Sequence, residues 1–343
     1  MTKILVTGGA GYLGSHTCVE LLNQDYRLVV VDNLLHSSFK SLTAIKEITG
    51  KDFTFYQADI RDKKSLEAIF EKEAITAVIH FAGLKIVNES TSIPLDYYAN
   101  NFSGTITLLQ VMQQFSCKNF IFSSSASVYG NKAPAPVSEE APRSVMTPYG
   151  RTKMMIEDVL MDVSVSDSAW NIVILRYFNP IGAHSSGELG EDPQGLPTNL
   201  LPYISQVALG KLDRVRVFGG DYDTKDGTGI RDYIHVVDLA RGHVAALQKL
   251  IAGSGLSIYN LGTGKGTSVL ELIQEMGEIV GYPIPYQIVG RRAGDIAVSY
   301  ADISKAEKEL NWHAQYDLKR MCQDSWRWQK KYPNGFRELK KSG

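Results

Sequence analysis

The chain of 343 residues carries 36 lysines and arginines against 37 aspartates and glutamates, a formal net charge of −1. With no basic block before Lys340-Lys341, that balance argues against a protein of nucleic acid or of the membrane surface. A hydrophobic content of 44% can fill one large core or two, and no apolar run approaches the roughly 18 residues of a membrane span.

The three cysteines, Cys18, Cys117 and Cys322, have neither metal nor redox spacing, as in a reducing compartment. The chain opens directly on a strand without a signal-peptide pattern, so a cytoplasmic protein is expected.

Lys3-Ile4-Leu5-Val6-Thr7 is a strand-like run, followed by a turn containing Gly8, Gly11 and Gly14 and a helix over 15–22. A strand-to-helix turn free of Cβ atoms lets a pyrophosphate approach the positive helix N-terminus. A second strand, Arg27 to Val31, ends in Asp32, placed to bind a ribose 2′-hydroxyl and to repel the 2′-phosphate of NADP. Strand, glycines, helix, strand and acid in this order favour NAD binding over a turn that merely packs.

The polar segment 33–41 lies over the adenosine in this reading. A third strand over 53–58 ends at Asp59, and a helix follows over 63–71. Asp59 is a candidate for the adenine; a helix cap at Asp62 and a plain turn compete with that reading. Ala77 to Gly83 forms a fourth strand running into a turn, so Phe81, Ala82, Gly83, Leu84 and Lys85 face the nicotinamide ribose at the carboxyl edge of an open parallel sheet. His80 reads as a satisfied core histidine. A long helix is expected over 97–113, then a fifth strand over 118–122 that terminates in Ser123-Ser124-Ser125.

In Thr147-Pro148-Tyr149-Gly150-Arg151-Thr152-Lys153, Pro148 suits the first turn of a helix. Tyr149 and Lys153 are four apart and share a face, with Cβ atoms about 5–6 Å apart. At roughly 5 Å and an effective dielectric of about 20, the ammonium would lower the phenol by about two pKa units from its reference of about 10. Such a phenol can take a proton from a hydroxyl whose carbon loses hydride, chemistry that needs a dinucleotide. Pairs of this kind are common on helix surfaces; the nucleotide site earlier in the chain gives this one a role, and gives Ser125 its role as partner to the same hydroxyl.

After a sixth strand over 172–178 the alternation breaks down, and a long loop over 179–197 opens a second domain. Helices are expected over 200–209, 236–251, 268–280, 304–310 and 318–330, with strands over 215–218 and 258–260. The expected fold is α/β: a Rossmann-type doubly wound parallel sheet over 1–178 with a smaller α+β substrate domain over 179–343, some of whose segments return to the first. Arg231 and Arg292 suit phosphates, and Asp295 suits sugar or ribose hydroxyls, although each arginine taken singly also reads as a surface salt bridge. His235 and His243 lie eight apart, off one helix face, and no metal site is expected.

The stretches Thr7 to His16, Val78 to Lys85, Asn119 to Ala126, Leu175 to Pro180, Gly190 to Gly195 and Asp226 to Val236 resemble the UDP-glucose 4-epimerase family of the extended short-chain dehydrogenase/reductase superfamily. The resemblance runs to about Trp328. It implies a homodimer holding NAD tightly and acting on UDP-sugars in galactose metabolism. It implies that Tyr149 is the acid/base on the 4-hydroxyl, Ser125 its hydroxyl partner, and Lys153 the residue that holds the nicotinamide ribose and lowers the tyrosine pKa. By the same resemblance Tyr12, Leu13, Asp32, Asn33, Leu34, Leu35, His36, Ser37, Asp59, Ile60, Phe81 to Lys85, Asn100 and Phe178 contact NAD. Asn179, Asn199, Leu200, Arg216, Val217, Phe218, Arg231, Arg292, Ala293, Gly294 and Asp295 fall on the UDP-sugar side.

Three departures stand out. Ile86 and Asn88 replace an expected alanine and glycine, and Ala293 replaces a usual Glu or Pro. Ser299 stands where relatives that reject N-acetylated sugars carry tyrosine, which leaves room for an acetamido group; Tyr300 would restore that gate if the register shifted by one. Related 4,6-dehydratases carry Thr-Asp-Glu after the fifth strand, whereas Ser125-Ala126-Ser127 offers no carboxylate. A non-catalytic NAD-binding regulator would have no reason to keep Tyr149, Lys153, Ser125 and the arginines together.

Overall fold

The computed structural model describes residues 2–193, 195–253, 255–292 and 294–336. The apolar runs of the first half form β1 (Lys3–Thr7), β2 (Arg27–Asp32), β3 (Thr54–Gln57), β4 (Ala77–His80), β5 (Asn119–Ser125) and β6 (Asn171–Tyr177). Between them lie α1 (Tyr12–Asn23), α2 (Phe39–Thr49), α3 (Lys63–Lys72), α4 (Val87–Ser92), α5 (Pro94–Tyr97), α6 (Gly104–Gln114) and α7 (Pro148–Ser166). A seventh strand, Leu256–Leu261, arrives from the C-terminal half and pairs with β6 at the sheet edge.

Every neighbouring pair in this sheet is parallel. Both faces are therefore covered, and successive residues alternate between two cores. Ile4, Val6, Val30, Ile79 and Val173 pack with Leu21 and Leu22 of α1 and Ile45 of α2. Leu5, Val29, Val78, Phe120 and Ile172 pack with Leu66 of α3, Leu108 of α6 and Ile156 of α7 on the other side. The chain winds β1-β2-β3 in one direction, then crosses to β4 on the far side of β1, so a crevice opens at the carboxyl ends of β1 and β4.

Two expectations need correction. The helix expected over 97–113 is broken: a π-helical turn, Tyr98–Ser103, separates α5 from α6. Within that turn the buried Asn101 accepts from the Leu84 amide at 2.7 Å and donates to the Leu84 carbonyl at 2.9 Å, so a widened turn satisfies the backbone of the turn after β4. The serines at 123–125 do not follow the fifth strand but belong to it, with Ser123 and Ser124 fully buried.

The C-terminal half contributes β7 (Asn179–Ile181), α8 (Leu200–Ala208), β8 (Val215–Phe218), β9 (Ile230–Arg231), β10 (Tyr233–His235), α9 (Val236–Ile251) and β11, the seventh sheet strand. It continues with β12 (Thr267–Ser268), α10 (Val269–Val280), β13 (Tyr286–Val289), β14 (Val298–Ser299), α11 (Ser304–Leu310) and α12 (Leu318–Lys331). The segment expected as a loop over 179–197 begins with a strand, because β7 pairs with β10. Three small sheets result: β10-β7, β12-β9-β14 and β13-β8. Leu201, Ile204, Val215, Val217, Leu272, Met276 and Met321 form a separate core among α8, α10 and α12, while Leu239, Val244 and Leu247 of α9 pack into the core on the α1 face of the main sheet.

Candidate active site

The crevice is floored by the glycine turn. Gly8 has φ +70°, and a Cβ there would stand 2.7 Å from the Ala82 amide nitrogen; on Gly14 it would stand 2.2 Å from the Gly8 carbonyl oxygen. Side chains are thus excluded where β1 enters α1. Gly11 caps α1, and no side chain accepts from the first-turn amides, which leaves their donors and the positive helix end for an anion. Residues and geometry fit a dinucleotide pyrophosphate.

Asp32, at the end of β2, is buried and holds three donors: the amides of Ala10 (3.0 Å) and Leu34 (2.9 Å) and the hydroxyl of Ser37 (2.8 Å). It fixes both the glycine turn and the 33–37 segment, where Leu34 adopts φ +60° and Leu35 and His36 are exposed. Asp59 accepts from the Asn33 amide at 3.0 Å and takes Arg61 in a two-pronged pair at 2.9 and 2.8 Å. The Arg61 hydrogen bonds hold its carboxyl well below the usual range. The helix cap is Asp62, which accepts from the Ser65 amide. Ile60 and Phe178 are buried, and Asn100 donates to Asn101 at 2.9 Å. His80 lies in the core between Thr7 (2.7 Å) and Thr105 (2.9 Å).

Tyr149 sits one residue inside α7, whose N-cap Thr147 accepts from the Gly150 amide at 3.2 Å. Gly150 lets this end of the helix close on the 3-10 turn that follows β5: a Cβ there would stand 3.1 Å from the Ser127 carbonyl. The Lys153 ammonium lies 5.9 Å from the Tyr149 ring centre and 4.8 Å from that of Phe122, and it donates to the Ser123 carbonyl at 2.7 Å. The Ser125 oxygen accepts from the Ser127 amide at 3.1 Å, and its hydroxyl acts on the Tyr149 phenol in the direction that favours the phenolate.

Here the structure corrects an expectation. Burial pushes the Tyr149 phenol up, not down, with only the Ser125 hydrogen bond opposing it. Burial also lowers Lys153 to about 8, against an upward pull from Glu157. Desolvation is the largest cause for both groups, a consequence of packing against β5, β6 and the helices before them that helix spacing does not reveal.

In the C-terminal half, β14 pairs with β9, setting Ser299 in register with Arg231. Arg231 donates to the Ile230 carbonyl at 2.8 Å. Arg292 stacks on Phe218 at 4.6 Å and pairs with Asp295 at 2.9 Å, so it is both a salt-bridged surface arginine and a preformed fork. Arg216 is exposed on β8, Val217 is buried, and Asn179 and Gly294 are exposed; Ala293 lies outside the described residues. Asn199 caps α8 ahead of Leu200 and donates to the Glu191 carboxylate at 2.6 Å, which also accepts from Lys85 at 3.0 Å. Tyr12 donates to the Gly182 carbonyl at 2.7 Å. Ile86 caps α4 and is held by Tyr97, while Asn88 is exposed; nothing in the structure explains either departure.

Three contributors escaped the sequence reading: Asn101, Glu157 and Glu191. Only the paired Asn100-Asn101 inside an otherwise apolar helix signals that polar groups are needed there. Among the described residues no cluster of His, Cys, Asp and Glu is arranged to hold a metal ion.

A doubly wound parallel sheet with a glycine turn, an acid after β2 and a Tyr-Lys pair beside the strand-end serine defines the NAD-linked short-chain dehydrogenase/reductase class. Residues 4–262 match the model of the NAD dependent epimerase/dehydratase family, and the chain belongs to that family. It is 55% identical over 334 residues to the UDP-glucose 4-epimerase of Bacillus subtilis (strain 168), covering 97% of this chain and 98% of that one. The crystal structure of UDP-glucose 4-epimerase from Bifidobacterium longum in complex with NAD+ and UDP is 53% identical, with a TM-score of 0.95, covering 98% of this chain and 100% of that one. The UDP-Glc/GlcNAc 4-epimerase of Campylobacter jejuni is 39% identical, with a TM-score of 0.85, over 96% and 100% of the two chains.

Proposed function

We infer that this chain is an NAD-dependent epimerase that interconverts UDP-glucose and UDP-galactose at C4 through a 4-keto sugar, a step of galactose metabolism. The observation that carries this reading is the joining of Tyr149, Ser125 and Lys153 at the carboxyl edge of β5, in a chain alike along its length to UDP-glucose 4-epimerases. The family also includes dehydratases, but Ser125-Ala126-Ser127 supplies no carboxylate to remove water from a sugar.

NAD, when bound, supplies the acceptor and later the donor of hydride. Gly8, Gly11 and Gly14 hold its pyrophosphate against α1; Asp32 takes the ribose, with 33–37, Asp59 and Ile60 on the adenosine side. Phe81 to Lys85, Asn100, Lys153 and Phe178 serve the nicotinamide side. Tyr149 acts as the phenolate: having given up its own proton to solvent, it takes the proton of the 4-hydroxyl, oriented by Ser125, and returns it once the ketose has turned its other face. Lys153 keeps positive charge beside that phenolate, which burial alone disfavours. Arg231 and Arg292 grip the diphosphate, with Asn179, Asn199, Leu200, Arg216 to Phe218 and Ala293 to Asp295 around uridine and sugar. Firm grip at one end and loose contact at the other suits a sugar that must turn over.

Residues 1–178 serve the dinucleotide, with α9 and β11 returning to that half, and 179–343 serve the UDP-sugar. A cytoplasmic homodimer fits this reading: among the described residues no helix is long and apolar enough to cross a membrane, and Ile93 and Leu95 at α5 expose apolar surface for a second copy. The test is whether purified protein contains NAD and converts UDP-galactose to UDP-glucose without added cofactor; protein free of both sinks the reading.

A second activity, on UDP-N-acetylglucosamine and UDP-N-acetylgalactosamine, is favoured by the small side chain of Ser299 beside Arg231. Turnover of UDP-galactose with no detectable turnover of UDP-N-acetylgalactosamine would exclude it.

A further inference from the structure

Glu157 takes part in none of these steps, yet it is a fully buried acid one helical turn beyond Lys153 on α7. Its Oε1 accepts from Ser124 Oγ at 2.5 Å and Arg176 Nε at 3.0 Å; its Oε2 accepts from Arg176 Nη2 at 2.7 Å and Arg143 Nη1 at 3.4 Å. Ser124 lies between Ser123, whose carbonyl holds the Lys153 ammonium, and Ser125, the partner of Tyr149. One carboxylate therefore ties α7 to the two strand residues that flank its hydrogen-bond partner.

We propose that Glu157 is a positioning residue for the reaction: it holds the 123–125 strand end in register with α7 and sets a negative charge one helical turn from the Lys153 ammonium. The proposal rests on the epimerase reading above. Lys153 shares α7 with Tyr149, whose ring centre is 5.9 Å from the ammonium, and with Glu157 one turn further on, and it acts electrostatically on His80 of β4. His80, pushed down by burial to about 3, is neutral, and burial pushes up both Tyr149 and its neighbour Tyr177, so these phenols bring no negative charge. Around Glu157 stand Arg176 from β6 and Arg143 from the segment before α7; Asp158 is drawn off by Arg143 at 2.6 Å. Glu157 is thus the source of negative charge next to the ammonium, which a purely architectural partner of Arg176 would not need to be.

The experiment compares the alkaline limb of kcat for UDP-galactose in holoenzyme of the wild type, Glu157→Gln, Glu157→Asp and Arg143→Ala. The Lys153 Nζ titration is followed by NMR of lysine-labelled protein in the same preparations. Glu157→Gln is expected to retain NAD and to lose activity at a pH lower by on the order of one unit, since the arginines offset part of the acid's field. Glu157→Asp, which keeps the charge, restores the limb to near its wild-type position. Arg143→Ala removes an opposing cation, should fold whatever Glu157→Gln does, and moves limb and titration to higher pH. A folded Glu157→Gln protein with an unmoved limb overturns the proposal, as does an unmoved or lowered limb in Arg143→Ala. Wild-type protein inert toward UDP-galactose overturns the epimerase reading instead.

Discussion

Ser299 stands in register with Arg231 on the parallel pair β14–β9, while the ring of the next residue, Tyr300, packs toward Gly266, where an added Cβ would lie 3.2 Å from its Cδ1. With its ring against Gly266, just past the end of β14, Tyr300 does not stand in for the side chain that Ser299 lacks. Ser299→Tyr is expected to lower kcat/KM for UDP-N-acetylgalactosamine by about tenfold or more and to leave UDP-galactose within about threefold, because bulk rejects the larger sugar only. Parallel loss on both sugars would show that position 299 does not discriminate between them.

Tyr149→Phe removes one oxygen from a helix otherwise fixed by Thr147, Thr152 and the Ser123–Lys153 bond. The protein should keep its fold and its NAD, while kcat falls about a thousandfold, the scale of a lost acid/base. Cofactor content and single-turnover rates on the same sample check this; a variant that epimerises at the wild-type rate excludes Tyr149 as the base.

The sheet was legible because buried parallel strands leave short apolar runs, and Gly8 after β1, Asp32 at the end of β2 and Ser125 at the end of β5 mark their carboxyl edge. The C-terminal half was less so: β9, β12 and β14 are two residues long, and β11 joins β6 across the 78 residues between Tyr177 and Leu256. At the site, the four-residue spacing of Tyr149 and Lys153 gave their proximity. It could not give the Ser123 carbonyl that anchors Lys153, the π turn that brings Asn101 to Leu84, or the burial that raises the phenol. Each depends on residues distant in the chain.

Lys153 separates activity from stability in pH. Its native value, about 8, lies below its ordinary 10.5 because burial disfavours the charge. If Lys153 acts as proposed, activity should fall as pH rises through about 8. Over the window from about 8 to 10.5 the unfolded lysine binds more proton than the native one, so this group alone makes stability rise with pH. The difference in Tm between wild type and Lys153→Met at pH 7.5 and 9.5 isolates the term; a difference that does not change in that direction refutes it.

Gly14→Ala tests the cradle. Its Cβ would lie 2.2 Å from the Gly8 oxygen, a clash of backbone that no rotamer relieves. The turn must open, and with it the amide end of α1, so the variant should purify with most of its NAD missing while its far-ultraviolet spectrum stays close to wild type. Full NAD occupancy would mean that this turn does not hold the pyrophosphate.

Arg176 and Glu157 are both buried, paired at 2.7 Å, and Arg176 also donates to Tyr129 Oη at 3.1 Å and to the Glu139 carbonyl at 3.0 Å. Arg176→Met leaves Glu157 with a charge that the partly exposed Arg143 and the Lys153 ammonium offset only in part, and this should cost about 3–5 kcal/mol. Glu157→Leu in the same chain removes the stranded charge, and the double variant should recover much of the loss. The denaturant midpoints of the two singles and the double form a cycle. If the two losses simply add, the pair is not coupled, and the link between α7 and β6 must be attributed to the apolar contacts of Ile156 and Ile174 instead.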